Sequence, residues 1–392
     1  MENAAIKPPV MTLTSGPVAV YPRVQEALSR PVPYDYDPYF QDYYEQVSLK
    51  AARAMRSERP ALILHAEPAV AIEAAAASLI SPDDVVLNLA SGVYGKGFGY
   101  WALRYCKRLE EVEVPYNEAI DPEQVAEALR AHPDITIVSA VHHDTPSGTL
   151  NPINEIGAVV KDHGARFLVD AVSSFAGMDV HPDDCAADIF ITGPGKCLGG
   201  SPGLSVLDVS EAAWAHMAKN ESAPTASVLS LLDWKDAWRK EEAFPFTPSV
   251  AEVAGLDAAL DQYLDEGPET VWQRHAVTAR ACRAGIKAMG LELWPAREEI
   301  AAPSTTAVTI PGSLTTKQIH AAARETFGVT LSAGRHKTYD KLIRIGHMGP
   351  VAEPIYAIAA VTAFGSAIRQ LGTAADIGTG VEAALAEIGN GT

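Results

Sequence analysis

A single lysine in a glycine-rich turn is the first residue with chemistry to offer. Lys196 follows the apolar run Asp188-Ile-Phe-Ile-Thr192, in Gly193-Pro-Gly-Lys196-Cys-Leu-Gly-Gly-Ser-Pro-Gly203. Glycines on both sides let a ligand approach the backbone closely. A lysine withdrawn from water loses proton affinity and becomes an amine nucleophile suited to imine formation. Taken alone, such a lysine is more often a solvated turn residue. Asp170 changes that reading. It ends the apolar run Arg166-Phe-Leu-Val-Asp170, precedes Ala-Val-Ser-Ser, and stands 26 residues before the lysine. A carboxylate there can keep a ring nitrogen protonated, which turns a heteroaromatic ring into an electron sink.

Three more segments carry candidates. In His142-His143-Asp144-Thr145-Pro146-Ser147-Gly148, Asp144 and the hydroxyls have the chemistry to bond a ring hydroxyl. An ordinary Asx or Ser/Thr turn is the competing account. Adjacent histidines rarely face one ion, and no Cys/His/acid set has ligand spacing, so no metal is expected. Tyr94, in Ala90-Ser-Gly-Val-Tyr94-Gly-Lys-Gly97, has the shape to stack on a planar ligand or to pack on its own domain. Arg344 lies inside the apolar run Leu342-Ile-Arg344-Ile-Gly and needs a partner, either an internal acid or a substrate carboxylate matched to its bidentate fork. Arg335, after Ser332-Ala-Gly334, is a weaker candidate of the same kind. Cys197, beside the lysine, reads as a small buried residue rather than a nucleophile.

The elements that must position these residues follow from pattern. Short apolar runs alternate with helical stretches from about residue 60, the signature of an α/β sheet. Helices are expected over Pro68–Leu79, from the Asp121 cap, and over Ile153–His163 with Gly164 as its stop. Strands are expected at Asp84–Ala90, Ile135–Val141, Arg166–Asp170, Asp188–Thr192 and Leu204–Val209. A long helical region, Ala251–Met289, breaks at Gly267-Pro268. Further strands are expected at Thr305–Ile310, Gly328–Ser332 and Leu342–Ile345, with a helix at Thr316–Thr326 and more to the C-terminus. The organisation expected is an N-terminal segment (1–22), a large domain (23–255) and a smaller α+β domain (256–392).

Composition narrows the function. The chain has 392 residues, 47% apolar and 20% charged, with a formal net charge of −18. That acidity argues against nucleic acid, whose phosphates need a basic face. The alanine-rich stretch Ala69–Ile80 contains Glu73 and is too short to cross a bilayer. The first residues lack a basic region followed by an apolar run, so a secretory leader is not expected and the cytoplasm is the default compartment. The four cysteines have no CxxC pairing and read as reduced thiols.

Apolar strand, Asp170, Ser-Ser, a further strand and the Lys196 turn resemble the layout of fold-type-I pyridoxal-phosphate enzymes. Within these, the chain resembles class V aminotransferases, the group with the alanine– and serine–glyoxylate enzymes. The likeness runs from Leu13-Thr-Ser-Gly-Pro17 to Arg344-Ile-Gly. It implies a large domain with a mostly parallel mixed sheet between helices, and a smaller C-terminal domain. It also implies Lys196 as the Schiff-base lysine, Asp170 as partner of the ring nitrogen, and Thr145 as contact of the ring hydroxyl. Tyr94 would be the stacking ring and Arg344, with Arg335, the clamp on the substrate carboxylate. A homodimer or homotetramer, with sites completed across an interface, is implied as well.

The departures from that pattern bear on the substrate. The family's phosphate cup reads here His65-Ala66-Glu67-Pro68-Ala69. Glu67 puts a carboxylate where a phosphate would sit, and Pro68 removes an N–H donor. Gly195 stands where a phosphate-binding Gln is frequent, and Phe244 where a neighbouring subunit offers a Tyr. Two unit charges roughly 4 Å apart at an effective dielectric of about 20 repel by about 4 kcal/mol. A first-turn acid favoured by the helix dipole also accounts for Glu67, but not for Gly195 and Phe244. A free 5′-hydroxymethyl group would instead donate to Glu67. The stretches Leu79–Trp101, Val114–Asp121, Asp144–Gly148 and Ile345–Pro350 resemble a vitamin-B6-degrading branch of the family. That branch implies pyridoxamine and pyruvate as substrates, pyridoxal and L-alanine as products, and no tightly bound cofactor. The alternative is an alanine– or serine–glyoxylate aminotransferase that keeps pyridoxal phosphate (PLP).

Overall fold

The structure is a computed structural model that describes residues 8–239 and 244–391. Seven strands make its central sheet: β1 (Leu62–Leu64), β2 (Val85–Ala90), β3 (Arg108–Glu113), β4 (Ile137–Val141), β5 (Arg166–Asp170), β6 (Ile189–Thr192) and β7 (Ser205–Val209). Their spatial order is β1-β7-β6-β5-β4-β2-β3. β7 runs antiparallel to both neighbours, and the other pairings are parallel. Every residue of β2, β4, β6 and β7 is buried, as a parallel sheet covered on both faces requires. β3, with the sequence Arg-Leu-Glu-Glu-Val-Glu, is only half-buried. Its charges suit an edge, where they discourage pairing with another chain. From β2 the chain steps outward to β3, then returns past β2 to β4. The resulting crevice at the strand ends, between β2 and β4, is where ligands bind in open α/β sheets.

Helix α1 (Pro68–Leu79) begins with Glu67 as N-cap and Pro68 in its first turn. Its alanines from Ala71 to Ala77 are buried, because small side chains let the helix lie close to the sheet. Helix α2 (Val93–Ala102) was not expected, since three of its ten residues are glycine and each costs about 1 kcal/mol relative to Ala. The glycines allow close packing. A Cβ at Gly95 would lie 2.9 Å from Leu89 O, and one at Gly99 would lie 2.8 Å from Glu111 Oε1. The long helical region is two helices, α3 (Val250–Glu266) and α4 (Pro268–Ala288), separated at Gly267 with φ 89°.

A second sheet contains β8 (Thr305–Thr309), β9 (Ser332–Ala333) and β10 (Leu342–Gly346), antiparallel in the order β8-β10-β9. Helices α5 (Pro354–Gln370) and α6 (Ile377–Asn390) pack with α4 around it. The stretch expected as one strand at Gly328–Ser332 divides between two partners. Val329–Thr330 pairs with Met11–Thr12 of the N-terminal segment, and Ser332–Ala333 pairs with β10. There are two apolar clusters. One surrounds the central sheet and takes in the buried face of α3. The other gathers Leu13, Ile286, Val308, Ile343, Ile345 and Phe364. α3 runs through residue 255 within the first cluster, and the change of cluster falls inside α4, between Val271 and Ala281. Among the described residues, no helix is long and apolar enough to cross a membrane.

Candidate active site

Lys196 leaves the turn after β6 and points its Nζ at the N-terminal segment, donating to Ser15 O at 3.1 Å. Gly16 makes room for it. A Cβ there would stand 2.0 Å from Lys196 Nζ, and the φ of +112° favours glycine independently. Burial lowers the proton affinity of the amine, and the nearby Arg344 charge lowers it further; Glu67 and Asp170 oppose this. The preceding Gly195 has no space for a side chain, because its Cβ would lie 2.9 Å from Pro202.

Asp170 ends β5, opposite Val141 on one side and Ile191 on the other. Its Oδ1 accepts from Val172 N at 2.9 Å. Burial pushes the carboxyl up to about 7, with the Asp144 charge adding to the effect and the Val172 N–H opposing it. A cation placed against it would favour the charged form.

The loop after β4 forms a tight two-residue hairpin pairing, His143–Asp144 with Thr149–Leu150. Thr145 is fully buried, and its hydroxyl donates to Ser173 Oγ. Ser173 lines the cavity; in the sequence it stood out only as half of Ser-Ser. Asp144 does not face a ligand. Its carboxylate accepts from Val93 N (3.2 Å), Tyr94 N (2.8 Å) and Gly95 N (3.1 Å), the first turn of α2. The two histidines diverge. His143 Nδ1 lies 3.0 Å from both Ser173 O and Ser304 Oγ, whereas His142 lines a separate cleft with Asn151 and Arg297. No group of His, Cys, Asp and Glu among the described residues is arranged to hold a metal ion.

Tyr94 lines the cavity, and its Oη accepts from Arg335 at 3.1 Å. Arg344 is 6% exposed and has no acid partner among the described residues. Its guanidinium donates to Ala333 O (3.0 and 2.6 Å) and Thr145 O (3.1 Å). Burial brings it down to about 10. Among the described residues it therefore makes no internal ion pair, and a buried cation held by carbonyls remains to be neutralised.

Glu67 is exposed at the cavity rim, and its Oε2 accepts from Ala69 N at 2.9 Å. The next turn donor, Val70 N, already bonds Glu67 O at 2.9 Å. Behind it His65 stacks on Trp234, with ring centroids 4.7 Å apart, and accepts from Ser249 N at 2.9 Å. Phe244 belongs to this aromatic cluster, with ring centroids 5.0 Å from Tyr44 and 6.0 Å from Trp234. It is buried within its own chain. Cys197 is buried, and burial pushes its thiol up to about 12, which removes it as a nucleophile.

These side chains surround a cavity of about 430 Å³ whose wall includes Glu67, Tyr94, Asp170, Ser173, Lys196 and Arg335. Thr145 and Arg344 stand outside that lining and reach it through Ser173 and the Thr145 carbonyl. Sequence reasoning missed the floor, where Ile72, Phe98 and Trp101 meet Asn88 and Ser139. Period-2 alternation places Asn88, Ser139 and Leu168 two residues before the strand ends, on the face of Ala90, Val141 and Asp170. That signal was available.

A buried lysine, a carboxylate at the neighbouring strand end and an unneutralised arginine, set at the switch point of a mixed sheet, describe an amine-transferring site. The family model for class-V aminotransferases matches residues 66–354, and the chain belongs to this family, whose members are PLP-dependent. It is an aminotransferase of fold type I. The pyridoxamine–pyruvate transaminase of Mesorhizobium japonicum is 62% identical over 380 residues, covering 97% of each chain. The crystal structure of pyridoxamine–pyruvate aminotransferase from Mesorhizobium loti has a TM-score of 0.97 at 61% identity, over 98% of both chains. The ureidoglycine–glyoxylate aminotransferase structure from Bacillus subtilis has a TM-score of 0.93 at 27% identity, over 99% of this chain and 100% of that one.

Proposed function

We propose that this chain transfers an amino group between pyridoxamine and pyruvate, giving pyridoxal and L-alanine, with the unphosphorylated vitamer entering and leaving as a substrate. One observation carries this reading: the start of α1 is already capped by its own residues. A phosphate bound at a helix N-terminus uses free backbone N–H groups. Pro68 has none, Ala69 N is taken by the Glu67 carboxylate, and Val70 N by the Glu67 carbonyl. A dianion there would meet a carboxylate instead of donors. A hydroxymethyl group fits, because Glu67 Oε1 has no partner among the described residues, and hydrogen bonds to a charged acceptor are the stronger kind.

The other residues take the following roles. Lys196 Nζ is the amine that bonds the aldehyde carbon of pyridoxal. Once displaced by the amine of alanine, it moves a proton between the amino-acid α-carbon and the ring's C4′. The vitamer ring, protonated at nitrogen, supplies the electron sink. Asp170 holds that proton at the ring nitrogen. Ser173, backed by Thr145, faces the ring hydroxyl, and Tyr94 covers the ring. Arg344 takes the substrate carboxylate, with Arg335 close by at Tyr94. The reading includes a homodimer or homotetramer in the cytoplasm; the exposed Tyr34, Tyr36 and Tyr39 are apolar surface available to a second copy, and four free cysteines suit a reducing compartment.

The test compares pyridoxamine with its 5′-phosphate as amino donor and pyruvate as acceptor. Preference for the free vitamer is expected. Equal or better turnover of the phosphorylated form sinks the reading. A yellow protein carrying stoichiometric phosphate and using glyoxylate would place the chain with the glyoxylate aminotransferases.

A further inference from the structure

We propose that Asp144 is a positioning residue: it grips the N-terminus of α2 from across the crevice and so sets the Tyr94 ring against the vitamer. The inference rests on the proposed role of Tyr94 as the ring contact.

Helix α2 cannot hold its own first turn. Its N-cap is Gly92, which offers no side-chain acceptor, and three of its ten residues are glycine. Orphan N–H groups at such a start need an acceptor from elsewhere. Asp144 supplies both carboxylate oxygens from the far side of the switch point. Oδ1 accepts from Val93 N, and Oδ2 from Tyr94 N and Gly95 N. The fit is steric as well as polar. A Cβ at Gly92 would stand 2.2 Å from Asp144 Cγ and 2.4 and 2.5 Å from its two oxygens. Gly92 is therefore bare because the carboxylate occupies its side-chain space. Gly92 itself has ordinary extended backbone, with φ −175°.

Asp144 is in turn rigid. It is fully buried, and its carbonyl accepts from Ser147 N at 3.0 Å and Gly148 N at 2.9 Å. It has no salt-bridge partner among the described residues. A buried carboxylate without a cation is costly unless hydrogen-bond donors compensate it; here three N–H groups of the helix start do so, and burial still leaves the carboxyl raised to about 6. The same short turn fixes two other parts of the site. The next residue, Thr145, backs Ser173 through its hydroxyl and takes Arg344 NH1 on its carbonyl at 3.1 Å. Asp144 thus joins the stacking ring to the residues beneath and beside it without touching substrate.

Two variants test this from opposite sides. Asp144→Asn keeps one acceptor oxygen but turns amide hydrogens toward the remaining N–H donors. Gly92→Ala keeps the carboxylate chemically intact and displaces it by contact. The readout is the affinity for pyridoxine, an alcohol that fills the ring site and cannot react with Lys196. Each variant should weaken pyridoxine binding roughly three- to tenfold, the size of one aromatic contact. The discriminating measurement is the same change made on a Tyr94→Ala background. There Asp144→Asn should cost no further affinity, because the ring it positions is gone. Additive losses on that background, or unaltered pyridoxine affinity in both folded variants, overturn the proposal. If Asp144→Asn fails to fold, Gly92→Ala carries the same cycle. Retained pyridoxine binding without pyridoxamine turnover in the unmodified protein removes the proposed reaction but not this one. Normal turnover with additive losses removes the role of Asp144 alone.

Discussion

Replacing Glu67 by Gln is the most direct perturbation of vitamer selection. Glu67 and a phosphate group at the start of α1 would be like charges in one cup. At about 4 Å and an effective dielectric of about 20, a pair of unit charges costs about 4 kcal/mol. Glu67 is exposed, so screening by water and salt reduces the penalty to about 1 kcal/mol per phosphate charge, or about 2 kcal/mol for the dianion. That corresponds to about ten- to hundredfold in kcat/KM for pyridoxamine 5′-phosphate. For pyridoxamine the change runs the other way. A charge-assisted hydrogen bond becomes a neutral one, a loss of about 1 kcal/mol, or roughly fivefold. Gln retains an oxygen for Ala69 N, which Glu67 Oε2 now serves at 2.9 Å, so the thermal midpoint should hold. The assay is initial pyridoxal or pyridoxal-phosphate formation from each donor with saturating pyruvate. The phosphate-to-free preference ratio should rise by more than tenfold, and more so at low ionic strength. A ratio unchanged within twofold would refute the reasoning and leave Glu67 as a helix cap only.

Other residues give separate readings. Lys196→Ala should abolish transamination while leaving the fold intact, since it removes a buried amine whose one hydrogen bond among the described residues goes to Ser15 O; unchanged turnover would dismiss its assignment. Arg344→Ala should raise KM for pyruvate and alanine by about 10²–10³, the cost of an unpaired carboxylate in a buried site, and barely alter KM for pyridoxamine; equal effects on both would contradict the clamp. Asp170 titrates near 7 in the folded protein and near 3.9 unfolded. The folded state therefore holds the proton more tightly, and the Asp170 contribution to stability falls as pH rises from about 4 to about 7, by on the order of 2–4 kcal/mol. Thermal midpoints of Asp170→Asn across pH 5–8 should show a shallower decline than the parent; parallel curves would show that burial does not perturb this group.

Much of the fold was legible because local rules and tertiary packing agree. Proline and an acidic cap mark the start of α1, Gly164 stops its helix with φ 86°, and Gly267 separates α3 from α4. Asp170 and Lys196 were legible because strand ends can be read from apolar runs, and chemistry collects there. The failures have a common physical origin. α2 reads as a loop because its glycines oppose a helix, and the acceptor that stabilises its start lies 50 residues away in Asp144. β3 gave no strand expectation because an edge strand tolerates charges that blur its pattern. Ser15 reaches Lys196 through a backbone carbonyl, which no side-chain pattern announces. Ser173 was passed over because hydroxyl direction is set by packing: Thr145 donates to Ser173 Oγ, and Ser173 lines the cavity.

The contact between Gly195 and Pro202 bears on how this scaffold can be redesigned. Removing the Glu67 carboxylate takes away a repulsion but adds no donor. The obvious donor, a glutamine before Lys196, has no room, because its Cβ would arrive 2.9 Å from Pro202 Cα. A protein engineered to retain PLP therefore needs the 199–203 loop rebuilt as well, and any stepwise route passes through variants that grip neither vitamer well. On the proposed reading, selectivity for the free vitamin is lodged in backbone spacing as well as in a charge, which makes it hard to lose by a single exchange.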